Sequence, residues 1–406
     1  MIDKSQMHLF LSHWAEFRRE PYRLFFPMGI ALAALGMGIW IPYYFLPHAL
    51  PYPGAGHAFV QIQGFLLCFI LGFLGTMLPK ALGVAPLGPW QFAFFPLGFL
   101  GAALLALTGF YQAAEWIHLL LILNFVLFIL RRLPQRQATP PPPFILIALA
   151  MFSDLAGTLS RILSISGIGG APGLRIASLL QFQAFPLLLV LGVGSFLLPK
   201  LLGNATVTPE SLRDAAKAPW QGPLAMGLLF LASFILEAAA AGTSFGSDAM
   251  RLGAGLRSGV WVWFLIRTLA LHRTPRKLPA YLQGARLSLW TMGLGLAMPV
   301  FLPGYALAWE HIVFITGLLW ITLSVAARVM SAHAGRLDSL ALHPGKSLGY
   351  GILIVLAMVT RVCTDVWTGS HWLHMALAAA FGLAALGLWG RIYLPLMLDF
   401  PGRRRP

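Results

Sequence analysis

Long apolar stretches, separated by short connections, constrain this chain more than any other feature of its sequence. A membrane helix needs about 20 consecutive, mostly apolar residues. Twelve such stretches occur, at residues 24–46, 57–79, 91–111, 113–133, 144–165, 174–198, 222–242, 253–271, 287–305, 310–332, 348–367 and 371–398. Only 10% of the 406 residues are charged, against about 25% in a soluble domain. The sequence therefore predicts an all-α, polytopic membrane protein with about twelve transmembrane helices.

The basic residues indicate how these helices cross the membrane. When the loop after the first helix is placed outside, 23 of the 28 lysines and arginines fall inside. Positive residues favour cytoplasmic loops, so both termini are predicted to be cytoplasmic. The net charge of +15 then reports topology, and we expect a lipid bilayer rather than a nucleic acid as the partner.

An internal repeat appears at a shift of 120 residues. The second and sixth predicted helices share the pattern Q-x-Q-x-F and the ending Leu-Pro-Lys-x-Leu-Gly, at 61–83 and 181–203. Four helices separate these copies, and four more lead to the tenth helix, which is only loosely similar. We therefore expect one integral membrane domain, 1–406, built from three four-helix repeats near 24–133, 144–271 and 287–398 in a pseudo-threefold arrangement.

The second helix also carries a polar face. His57, Gln61, Gly64 and Cys68 follow one another at spacings of four, three and four residues, so they share one side of the helix. A polar, narrow face inside lipid is suited either to close packing on another helix or to a cofactor that His57 would ligate. Gln61, one turn after His57, belongs to the same candidate cofactor site.

His311 lies in the tenth helix at a depth similar to that of His57, because both helices run from outside to inside. Two neutral imidazoles at one depth on different helices are suited to axial ligation of a haem. His333 is 22 residues further along the tenth helix, about 33 Å away, so one metal ion cannot bind both. Arg361 lies within an apolar stretch and could hold a haem propionate, or form a salt bridge with Asp365 four residues later.

Four ordered motifs are similar to those of the NnrS family of bacterial membrane proteins. They are EPYRLFFPMGI at 20–30, GHAFVQIQGFLLCFILGFLGTMLPKALG at 56–83, QFQAFPLLLVLGVGSFLLPKLLG at 181–203 and EHIVFITGLLWITLSVAARVMSAHAGR at 310–336. The resemblance implies a haem- and copper-containing protein of the inner membrane that acts in nitric oxide metabolism and in relief of nitrosative stress. It implies nitric oxide or another small diatomic molecule as the ligand, and leaves open whether the protein is an enzyme.

The resemblance extends to individual residues. His57, His311 and His333 match the family pattern and are the predicted metal ligands. Arg328, Arg336 and Arg361 also match the pattern. Family members often carry a histidine or glutamate shortly after the first histidine, where this chain has Phe59 and Val60. A copper site built on that pair is therefore in doubt.

The layout is also similar to the catalytic subunit of haem–copper oxidases, whose six-coordinate haem is held by histidines on helices two and ten. The sixth helix here has no histidine between Phe182 and Leu198, so dioxygen reduction is not predicted. The alternative function is a transporter or channel in which Glu237, Asn124 and the paired glutamines coordinate a small solute or ion.

Overall fold

A computed structural model of the chain describes residues 14–203, 219–239, 243–273, 278–337 and 344–398. These residues are almost entirely helical and include no strand, so the all-α prediction is confirmed. The twelve long helices are α1 (Tyr22–Phe45), α2 (Gly54–Leu82), α3 (Pro89–Leu107), α4 (Tyr111–Gln135), α5 (Pro142–Ile165), α6 (Gly170–Leu201), α7 (Gln221–Ala239), α8 (Gly246–Trp263), α9 (Ala280–Phe301), α10 (Pro303–His333), α11 (Pro344–Val366) and α12 (Thr368–Met397).

Ten of these helices are long and apolar enough to cross a membrane, which agrees with a multi-pass membrane protein. The other two are α8 and α9. Helix α8 carries Asp248, Arg251 and Arg257 within its length, which lowers its hydropathy. The total of twelve crossings stays a prediction. So does the cytoplasmic position of the termini, because residues 1–13 and 399–406 lie outside the described part of the chain.

The chain divides into two compact units. The first comprises residues 1–36 and 53–140, which include most of α1 and all of α2, α3 and α4. The second comprises residues 37–52 and 141–406, which include the end of α1 and α5 to α12. Within the first unit α3 packs along α4. Within the second, α7 packs on α8, α8 on α9, and α11 along α12.

Helices α2, α6 and α10 are the most enclosed. In their most apolar windows 78%, 72% and 67% of the residues are buried, against at most 50% in the other seven candidate spans. Each of the three contains a π-helical segment after its first turns, at Val60–Leu66, Leu179–Ala184 and Val313–Leu319. Such segments are uncommon and occur frequently at functional sites. The predicted threefold repeat itself stays a prediction, but these three helices share a local design.

The other helices expose large apolar side chains on one side. Trp90 and Leu97 of α3 are 86% and 73% exposed, and Phe301 at the end of α9 is 72% exposed. An apolar surface of this extent is stable only against lipid or another apolar partner. Helices α2, α6 and α10 thus differ from the other helices in the fraction of their residues that is buried.

The repeated ending of α2 serves helix termination. Gly83 follows the helix with a φ of 65°, a left-handed conformation that glycine adopts without strain, and the amide of Val84 donates to the carbonyl of Pro79. The ammonium of Lys80 forms an ion pair of 3.0 Å with Glu20. The Pro-Lys-x-Leu-Gly motif is accordingly a structural element here.

Candidate functional site

His57 lies in the first turn of α2, just before the π-helical segment, and is half-buried. Its Nδ1 donates a hydrogen bond of 2.8 Å to the carbonyl oxygen of Gly36 in α1. The carbonyl can only accept, so Nδ1 carries the proton and Nε2 is the basic ring nitrogen. Metal-binding histidines usually have their second nitrogen fixed in this way.

Gln61, one turn further along α2, also contacts α1. Its side-chain amide donates a hydrogen bond of 2.9 Å to the carbonyl oxygen of Ala33. A Cβ atom on Gly36 would lie 2.7 Å from the Gln61 amide nitrogen and 3.1 Å from a methyl group of Val60, so a larger residue would displace the Gln61 amide and press on Val60. The contact gives Gln61 a role in joining the two helices, and its predicted part in a cofactor site stays a prediction.

Gln63 lies in the same π-helical segment and contacts α4. Its amide nitrogen is 3.3 Å from a carboxylate oxygen of Glu115, and both residues are almost fully buried. Sequence reasoning missed Glu115. The signal was available, since an acidic residue inside an apolar span is costly unless it has a partner.

His311 and His333 lie in α10, in the second unit. Nδ1 of His311 donates to the carbonyl of Leu307 over 2.8 Å, and Nδ1 of His333 donates to that of Val329 over 2.9 Å. Nε2 is therefore the basic nitrogen in both rings. The two histidines stand at opposite ends of one continuous helix, about 33 Å apart, so the structure does not bring them together. His57 belongs to the first unit.

Arg361 is buried in α11. It forms the predicted ion pair with Asp365, four residues later in the same helix. Its guanidinium lies 3.1 Å from a carboxylate oxygen of Asp365 and also donates to the hydroxyl of Thr364. The carbonyl of Thr364 accepts a hydrogen bond of 3.0 Å from Nδ1 of His371. The Nε atom of Arg361 is buried without a hydrogen-bond partner among the described residues. The propionate role stays a prediction.

A cluster of charges, which we call the Glu237 cluster, joins α6, α7, α8 and α10, and two of its four members, Glu237 and Arg257, are buried. Its members are Arg175, Glu237, Arg257 and Glu310. Glu237 accepts hydrogen bonds from Arg175 and, over 2.6 Å, from Arg257, while Arg175 lies 3.7 Å from Glu310. The cluster borders a cavity of about 20 Å³, room for one water molecule. Because two arginines neutralise Glu237, its carboxylate is not an open ligand for a cation.

Arg161 lies within α5, where an unpaired charge would be costly. It donates over 2.8 Å to the side chain of Gln181 and over 3.1 Å to the hydroxyl of Ser178, and it stacks on the ring of Phe182. The repeated glutamine of α6 is thus engaged in a helix contact, as Gln61 is in α2. No group of three or more histidine, cysteine, aspartate or glutamate residues that could hold a metal ion occurs among the described residues.

One of the comparisons with known proteins covers nearly the whole sequence. A search of curated proteins found no match. The family model described as NnrS protein matches residues 16–400, nearly the full length of the chain. All the motifs discussed above fall within this match. The chain therefore belongs to the NnrS family.

Proposed function

We propose that this NnrS family member binds haem, with His57 and His311 as iron ligands, and that it acts in the cell's response to nitric oxide. The observation that carries the proposal is the protonation pattern of the two imidazoles. Each donates its Nδ1 proton to a backbone carbonyl over 2.8 Å, so the basic nitrogen is Nε2. An imidazole fixed in this tautomer is suited to ligate a metal.

The surroundings of the two histidines support the same role. Each precedes a π-helical segment, at Val60–Leu66 after His57 and at Val313–Leu319 after His311. The corresponding place in α6 is Ala177, so the sixth helix shares the π-helical segment but not the ligand. A structural requirement common to all three helices would not explain the histidines, whereas a ligand role does.

Arg361 fits a further part of the cofactor. Its Nε atom is a buried donor that lacks a hydrogen-bond partner among the described residues, although the same guanidinium pairs with Asp365. A haem propionate would supply an acceptor for such a donor. Haem would supply an iron centre that binds small diatomic molecules or transfers single electrons. Gln61 would contribute by keeping α2 against α1 beside His57.

We assign the protein to the bacterial inner membrane, as its family membership implies, with both termini in the cytoplasm, as the basic loops indicate. His333 is then a candidate ligand for a separate metal, copper included, at the cytoplasmic end of α10. The transporter alternative is weaker, because Glu237, its proposed ion ligand, is already paired with Arg175 and Arg257.

The proposal is tested by absorption spectroscopy of purified variants reconstituted with haem. His57→Ala and His311→Ala should each shift the Soret band or lower the haem content per chain. The matched control is His272→Ala, because this histidine is exposed and has no proposed role. A spectrum and haem content unchanged by both substitutions would exclude these ligands. Haem loss in all three variants would indicate a general folding defect.

A further inference from the structure

A second polar cluster, which we call the Arg328 cluster, lies at one end of four helices in the second unit. Tyr281 is near the start of α9, Arg328 is in the last turns of α10, Tyr350 is in the first turns of α11, and Tyr393 is near the end of α12. The three tyrosines are at most 5% exposed. The topology prediction places this end of the helices at the cytoplasmic surface.

The side chains of this cluster are close to one another. The hydroxyls of Ser347 and Tyr393 lie 3.4 Å apart, and the rings of Tyr350 and Tyr393 pack edge to face at 6.4 Å. Tyr281 interacts electrostatically with Arg328 and with Tyr393. Tyr281 thus connects Arg328 to a group of hydroxyls, which can donate hydrogen bonds to an acceptor.

Three polar atoms of the cluster are buried without a hydrogen-bond partner among the described residues. They are Nη1 of Arg328 and the hydroxyl oxygens of Tyr350 and of Ser331, which is fully buried. Arg328 and Ser331 are three apart in α10, so they share one face of the helix. Buried polar atoms are nearly always hydrogen-bonded, and a buried cationic donor is especially costly to leave unpaired.

We propose that the Arg328 cluster binds a small oxyanion. Within the described part of the chain Arg328 forms no ion pair with a carboxylate, so an anion would supply the missing counter-charge. A guanidinium matches the oxygen atoms of phosphate-like groups, and the neighbouring hydroxyls can donate to the remaining oxygens. A water molecule would satisfy Ser331 but would leave the charge of Arg328 unneutralised.

The anion has two possible sources with the same chemistry. It is either free inorganic phosphate from the cytoplasm or the phosphate of a lipid headgroup, since the cluster lies where the helices end. Asp338 follows α10 but lies outside the described residues, so it enters the test as a variant. The site involves neither His57 nor His311, and it therefore stands apart from the haem proposal.

The test is equilibrium binding to the full-length protein in a neutral detergent. Titration with inorganic phosphate forms one arm, and titration with phosphatidylglycerol in mixed micelles forms the other. We expect one binding event per chain in at least one arm, weakened about tenfold or more by Arg328→Gln, because a charge-assisted contact is lost. Ser331→Ala should weaken it severalfold. The control Arg391→Gln, an exposed arginine of α12, should leave the affinity unchanged.

The arms separate the possible outcomes. Binding of phosphate alone identifies a soluble ligand, and binding of the lipid alone identifies a headgroup. Either result supports the proposal when Arg328→Gln weakens the binding. Binding in neither arm, or equal losses in Arg328→Gln and Arg391→Gln, would overturn it. Asp338→Asn should not alter the affinity, and tighter binding in that variant would also overturn the proposal, because the counter-charge of Arg328 would then come from the chain itself. Ser331→Ala keeps the test valid if Arg328→Gln does not fold.

Discussion

The pairing of Glu237 predicts a large loss of stability when its charge is removed. Glu237→Gln keeps the shape of the side chain but takes away the negative charge that faces Arg175 and Arg257. The Arg257 guanidinium is then left with the ring of Phe234 at 4.4 Å and the carbonyl of Ser233 at 3.4 Å. Arg257 and Glu237 are each only 4% exposed, so bulk water cannot replace the lost charge, and the adjoining cavity holds at most one water molecule.

The expected cost follows from this burial. Breaking a buried ion pair by removing one partner destabilises a protein by about 3–5 kcal/mol. The glutamine still accepts a hydrogen bond, so we expect a value near the lower limit, about 3 kcal/mol. The free energy of unfolding is to be measured by titrating the purified protein from mild detergent into a denaturing detergent, with circular dichroism as the signal.

The matched control is Asp248→Asn in the neighbouring helix α8. Asp248 pairs with Arg251 at 3.9 Å, but both side chains are more than half exposed, so the change should stay below about 1 kcal/mol. In a double variant, Arg257→Met should recover part of the stability lost in Glu237→Gln, because the unpaired charge is then removed. A loss in Glu237→Gln no larger than that in Asp248→Asn would refute the reasoning.

Two further predictions concern the contacts of α2. Gly36→Leu places a side chain where a Cβ alone would lie 2.7 Å from the Gln61 amide nitrogen, so α1 and α2 should separate and the melting temperature should fall by several degrees. An unchanged melting temperature would show that the helices are not held this closely. Gln63→Leu removes a partner of the buried Glu115 carboxylate and should cost about 1–3 kcal/mol in the same unfolding assay. Glu115→Gln in that background should recover part of the loss, and further destabilisation would contradict this account.

Hydropathy located the helices well because crossing a membrane requires length and apolarity, and both can be read locally. Its errors at helix starts reached seven residues, at α9, predicted at 287–305 but observed at Ala280–Phe301, and at α8, predicted at 253–271 but beginning at Gly246. Asp248 and Arg251 lower the hydropathy of the first two turns without preventing a helix. A hydropathy window therefore begins too late wherever charged residues lie at a helix end.

The candidate site was only partly predictable, because some of its contacts join residues close in sequence and others join residues far apart in sequence. The Arg361 to Asp365 pair, four residues apart in one helix, was anticipated as one of two alternatives. Glu237 instead pairs with Arg175, 62 residues away, and Gln63 with Glu115, 52 residues away. Partners so distant depend on which helices pack together, and hydropathy does not report packing. The π-helical segments likewise had no sequence signal beyond the repeated glutamines.

The most direct test of the central claim is the haem content of the purified wild-type protein. Absorption spectra and a pyridine haemochrome assay should be recorded after expression in cells that synthesise haem. The account predicts a Soret band and about one haem group per chain, and this haem should remain bound during gel filtration. A colourless, folded protein that gains no Soret band on incubation with haem would contradict it.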